Sequence, residues 1–167
     1  SANLRSMIRC LPQLRVERNL HRRILFILAV LAWTLVQGAA HAADSAVILM
    51  YHRFGEGGHP QTNIAVEQFD QHLTELGNAK YTVLPIPEIL AKLKSGTALP
   101  ERTIGITIDD AFRSVYEIAY PKLQERNLPF TLFVATRPVD QKLPDYMNWD
   151  QIRELRDAGI TIGSQTH

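Results

Sequence analysis

Cysteine is nearly absent from this chain of 167 residues: Cys10 stands alone. A single thiol can form no internal disulfide and no thiolate metal cluster. A long hydrophobic run is missing too. The longest uncharged apolar stretch, Ile24–Val36, has 13 residues, whereas a membrane-spanning helix needs about 20. There is no block of like charge, no internal repeat and no low-complexity linker. The chain carries 18 Lys+Arg and 17 Asp+Glu, and this near-balance argues against a nucleic-acid partner, which calls for a clustered basic face.

What is present divides at about residue 43. A basic lead containing Arg15, Arg18, Arg22 and Arg23 precedes the apolar run, and the small-residue tract Ala39-Ala40-His41-Ala42-Ala43 follows it. This is the layout of a secretory signal peptide cleaved near Ala42 or Ala43. Residues 1–43 are therefore expected to be a leader, and the product to be exported, periplasmic or secreted, with no stable membrane span. The leader takes 6 Arg, 1 acid and Cys10 with it, leaving 12 bases against 16 acids and no thiol. The start at Ser1 and the stop at His167, just after a strand-like run, predict a fragment truncated at its C-terminus.

From Ala46 onward, strand and helix patterns alternate. Ala46–Tyr51 (AVILMY) reads as a buried strand. Phe69, Leu73 and Leu76 mark a helix face closed by Gly77. Tyr81–Leu84 reads as a strand, and Pro87 opens a helix with Ile89, Leu90 and Leu93 inside and Gly96 as its stop. Thr103–Ile108 (TIGITI) is the clearest buried strand. Phe112, Val115, Tyr116 and Ala119 form the next helix face, with a bend or restart expected at Pro121. Pro129–Ala135 is another strand. Asn148 and Gln151 resemble a capping box for a helix bearing Ile152, Leu155 and Ala158, and Ile160–Ser164 starts a further strand. Such alternation predicts parallel βαβ units, hence an α/β sheet or barrel. Residues 44–167 supply only four or five units, fewer than a complete barrel of about 200 residues or more contains.

Ligands of parallel α/β folds collect at the carboxyl ends of the strands. Three predicted strands end there in residues that bind metals or move protons: Tyr51-His52, Asp109-Asp110 and Gln165-Thr166-His167. Adjacent carboxylates at the end of an apolar strand are costly without a compensating cation or proton. Successive side chains leaving a strand diverge, so one acid can ligate a metal while the other serves as a base. A solvated turn or a helix N-cap explains Asp109-Asp110 equally well from spacing alone, and core packing or a loop contact would account for His52 or His167. His59 and His72 read as solvated loop and helix-face residues.

These residues resemble the polysaccharide deacetylases (carbohydrate esterase family 4, the NodB-homology domain). Thr107-Ile108-Asp109-Asp110 is similar to their first motif. VILMYHRF (Val47–Phe54) resembles the opening of the exported deacetylases of biofilm poly-N-acetylglucosamine, and PFTLFVAT, WDQIREL and GITIGSQTH resemble later segments of the same domain. The resemblance implies a distorted (β/α)7 barrel, present here only as its N-terminal portion (residues 44–167), and a divalent metal, most often Zn2+. It further implies Asp109 as catalytic base, Asp110 as metal ligand and His52 as general acid. The family's second motif places histidine where Gln165 stands. Either that motif is shifted, making His167 a metal ligand, or Gln165 replaces a ligand. The implied activity is removal of acetyl groups from an acetylated polysaccharide. A non-catalytic glycan-binding relative with an impaired metal site is the alternative. A glycoside hydrolase on a similar barrel would need carboxyl groups about 5–9.5 Å apart across the sugar, which adjacent aspartates do not obviously provide.

Overall fold

The computed structural model describes residues 44–165. The leader and His167 lie outside the described residues. Among those described, no helix is long and apolar enough to cross a membrane.

The elements follow in the order β1 (Val47–Tyr51), β2 (Arg53–Phe54), β3 (Asn63–Ile64), α1 (Val66–Leu76), β4 (Thr82–Val83), α2 (Ile86–Ser95) and β5 (Thr103–Asp109). A π-helical turn (Val115–Ala119) then leads into α3 (Tyr120–Glu125), β6 (Thr131–Val134), α4 (Thr136–Asp140), α5 (Trp149–Asp157) and β7 (Thr161–Ser164). The main sheet runs β1-β5-β6-β7, with β4 also paired to β5, and every pairing in it is parallel. The fold is thus α/β with a parallel sheet, as the alternation of patterns requires.

Residues in register on neighbouring strands share a face. One face carries the apolar rows Leu49–Ile106 and Tyr51–Ile108–Leu132–Ile162. Tyr51, Ile106, Ile108 and Leu132 join Phe69 and Leu73 of α1, Val115, Leu123 and Leu155 in the buried core, with Leu49 and Ile162 packed against it partly buried. The opposite face carries Met50–Thr107–Thr131–Thr161 and, one layer higher, Asp109–Phe133–Gly163. Asp109 therefore ends the β5 face that carries Gly105 and Thr107, with Phe133 of β6 beside it. Lower on that face, Gly105 lets α2 approach: an added Cβ would lie 2.5 Å from the Ile86 Cδ1 and 2.8 Å from the Ile48 Cδ1.

Several sequence expectations need correction. AVILMY is not buried throughout: β1 pairs on one side only among the described residues, and Val47 and Met50 are 60% and 62% exposed. In α2, Ile89 is buried but Leu90 and Leu93 are exposed. His72 is half-buried, not solvated, and shares a 3.0 Å hydrogen bond between its Nδ1 and the Tyr51 hydroxyl. The short parallel pair β2–β3 and the helix α4 had no readable signal.

Candidate active site

Three chain segments build the site at the carboxyl end of β5. The register Tyr51↔Ile108 sets β1 beside β5, so His52 leaves its strand next to Asp109. On the other side, Phe133 of β6 pairs with Asp109 and Gly163 of β7 pairs with Phe133. Gln165, just past β7, donates from Nε2 to the Asp109 Oδ2 at 3.2 Å, while its backbone N–H is held by the Val134 carbonyl at 3.0 Å. The structure therefore brings together Asp109, Asp110, His52 and Gln165. It says nothing of His167, which lies outside the described residues.

Asp109 is only 7% exposed. Burial pushes its carboxyl above the usual range. The His52 charge opposes that shift, Asp110 adds to it, and the Gln165 hydrogen bond opposes it. His52 is half-buried and opens onto a cleft of about 340 Å³ that is also lined by Asn63 and Gln68.

Immediately after Asp109 the backbone turns through a left-handed pair, with φ 71° at Asp110 and φ 59° at Ala111. Such positions cost about 1–3 kcal/mol each in non-glycine residues and persist where their surroundings hold them. Here the Met147 N–H donates to the Ala111 carbonyl (2.9 Å) and the Arg113 N–H to the Asp145 carbonyl (2.8 Å). A bridge between Phe112 and Tyr146 and their ring contact at 4.7 Å complete the support.

A polar clamp ties the chain after His52 to the chain after Asp110. Arg53 Nη1 donates to the Glu56 Oε2 (2.5 Å), the Ser114 hydroxyl donates to the Glu56 Oε1 (2.6 Å), and the Phe54 N–H donates to the Ser114 Oγ (3.2 Å). The Arg53 guanidinium also sits 3.5 Å above the Phe112 ring. Burial alone would push the Glu56 carboxyl up. Hydrogen bonds from Ser114 and Arg53, with the arginine charge, outweigh it and hold Glu56 below its ordinary value. Sequence reasoning missed this clamp. In the sequence Glu56 stands among Gly55, Gly57 and Gly58, with no pattern that links it to Ser114.

The chemistry of this donor set suits a divalent cation in part. A desolvated carboxyl beside a second carboxylate gains from a neighbouring positive charge. Among the described residues, however, no three His, Cys, Asp or Glu side chains cluster closely enough to hold a metal by themselves.

On comparison with known proteins, residues 96–167 match the polysaccharide deacetylase family model. The chain is similar to the poly-beta-1,6-N-acetyl-D-glucosamine N-deacetylase of Staphylococcus aureus, 30% identical over 57% of this chain and 32% of that protein. It is 28% identical to the Bacillus subtilis protein YxkH over 71% of this chain and 41% of that one. Among solved structures, IcaB from Ammonifex degensii superposes with a TM-score of 0.65 at 29% identity, covering 75% of this chain and 54% of that chain. The likeness to polysaccharide deacetylases, and to their poly-N-acetylglucosamine branch, is therefore borne out. The chain spans less than half the length of these two curated relatives and about half of the IcaB chain.

Proposed function

We propose that this chain forms part of an exported, metal-dependent hydrolase that removes acetyl groups, N-acetyl above all, from a cell-envelope or extracellular polysaccharide. In this reading residues 1–43 are a signal peptide and leader, and residues 44–167 are the N-terminal part of a deacetylase domain. The observation that carries it is the buried Asp109 carboxyl, set beside His52, Asp110 and Gln165 at the end of a central parallel strand. The activity named for the Staphylococcus aureus relative points the same way.

Asp110 and His167 would hold the divalent cation, Zn2+ in the family's usual case. Bound there, such an ion lowers the pKa of water toward about 7 and polarises a carbonyl. The chain's own groups do the rest. Asp109, its carboxyl raised by burial, is poised to accept a proton from the attacking water. Water oxygen bonds to the acetyl carbon, and the bond from that carbon to the sugar nitrogen breaks. His52 gives a proton to the leaving amine, so acetate and a free amino sugar depart. The Gln165 amide keeps the Asp109 carboxylate oriented between turnovers.

The test uses the full-length protein. Asp109→Asn is expected to cut acetate release about 10²–10⁴-fold while metal content stays near wild type. Full turnover in that variant would remove Asp109 from the role of base. A second reading, a glycan-binding relative without turnover, is favoured by Gln165 standing where the family has histidine. Wild-type protein that binds acetylated oligomers, retains no metal and releases no acetate would establish it.

A further inference from the structure

Arg53 carries a charge into the interior and has no part in the mechanism above. It is 9% exposed, follows His52 directly in the chain and stands on a strand of only 2 residues. Taking an ion out of water is costly, and pairing it with one carboxylate offsets that cost without making the pair a strong source of stability. The geometry that Arg53 fixes is therefore of more interest than its contribution to folding.

Three sets of contacts hold the residue. Its backbone N–H donates to the Thr62 carbonyl at 3.0 Å, and the Gly55 N–H donates to the Ile64 carbonyl at 2.9 Å, so β2 is pinned to β3. Its Nη1 donates to the Glu56 carboxylate, and the Glu56 backbone N–H donates to the Asn63 Oδ1 at 2.8 Å. Its guanidinium lies over the Phe112 ring, 3.5 Å from the centre. A planar guanidinium both stacks on a ring and attracts it electrostatically, which a lysine ammonium does not reproduce.

Through Phe112 these contacts reach the acidic strand tip. Phe112 is 4% exposed and directly follows the left-handed pair Asp110 and Ala111. Its ring touches both Arg53 and Tyr146. Burial raises the Tyr146 hydroxyl above its ordinary value. The Asp110 carboxylate adds to that shift and the Arg53 charge opposes it, so both charges bear on the same ring. Non-glycine residues at positive φ persist where their surroundings hold them, and the stack of Arg53 on Phe112 is one such hold.

We propose that Arg53 is a positioning residue: through Phe112 and Glu56 it locks the segment carrying His52 to the Asp110–Ala111 turn, and so sets the direction in which Asp110 presents its carboxylate. The proposal rests on the deacetylase reading for the roles of His52 and Asp110, and on the contacts alone for the bracing.

The experiment compares full-length wild type with Arg53→Lys, which keeps the charge and loses the stack, and with Phe112→Leu, which loses the ring and keeps the Arg53–Glu56 pair. Asp70→Asn breaks the Lys122 ion pair between α1 and α3 and controls for a general loss of stability. Three quantities are read: amide exchange at Arg113 and Met147, whose N–H groups tie down the turn, zinc affinity, and the kinetics of acetate release from a β-1,6-linked N-acetylglucosamine pentamer. Arg53→Lys should speed exchange at both amides at least about tenfold, since the turn opens more often. It should weaken zinc binding about 10–100-fold and lower kcat with KM near wild type. Phe112→Leu should do the same, and the double variant should lose no more than the worse single one, because both act through one contact. Asp70→Asn should move none of the three. Should Phe112→Leu fail to fold, Arg53→Lys decides alone. Exchange and zinc affinity equal to wild type in folded Arg53→Lys overturn the proposal. A raised KM at unchanged kcat would make Arg53 a substrate contact and overturns it too. Wild type that holds no zinc and releases no acetate overturns the deacetylase reading instead, and exchange at Arg113 and Met147 then decides the bracing by itself.

Discussion

Glu56 shows how single side chains hold the site together. It receives Ser114 and Arg53 from opposite sides and so joins the segment after His52 to the segment after Asp110. Its carboxyl is held below the ordinary range. A depressed folded-state pKa stabilises the fold above the unfolded pKa, and that contribution is lost as pH falls through the folded value. Glu56→Gln is therefore expected to cost about 1–2 kcal/mol near neutral pH, a hydrogen-bond loss discounted for partial solvent exposure. The gap between variant and wild type should close below the usual carboxylate range. Urea titrations across that pH span measure it, and a gap independent of pH would deny Glu56 this role. The sequence disclosed Asp109 and Asp110 as candidates because two acids after TIGITI are conspicuous. It could not disclose Glu56, whose partners are 3 and 58 residues away and leave no periodic mark.

Elements were legible where the local code is strong. The capping box of Asn148 and Gln151 forms as read, with both reciprocal bonds present. Asn148→Ala should then cost about 1 kcal/mol, seen as a lower denaturation midpoint with unchanged slope; a midpoint equal to wild type would show that tertiary contacts alone hold α5. Pro121 acted as expected in disturbing its helix, but through a widened turn. It has no N–H to give the Glu117 carbonyl, and the preceding residues shift to a π-helical turn in which the Tyr120 N–H reaches the Val115 carbonyl. Burial was less legible than type. AVILMY carries no signal distinguishing a central strand from one at an edge, and Leu90 and Leu93 share the helical spacing of Ile89 while facing solvent. Helix α4, five residues long, is too short for periodicity to reveal.

At the scale of the molecule, the parallel arrangement and the meeting of strand tips followed from the alternation of patterns alone. Strand order did not. That β5 sits between β1 and β6, so that Asp109 is flanked by His52 on one side and reached by Gln165 across β6 from the other, is a property of the assembled sheet. The likeness to IcaB extends over 75% of this chain and about half of that chain.

The exposed margin of β1 carries a practical lesson. Its outer backbone groups meet no neighbour among the described residues, and Val47 and Met50 project apolar surface beside them. A bare, greasy margin of this kind recruits copies of itself. Protein expressed as residues 44–165 alone should scatter light at micromolar concentration, and Met50→Lys should quiet it, since a charge deters stacking. Clear solutions of the unaltered piece would mean that this margin is shielded in some other way.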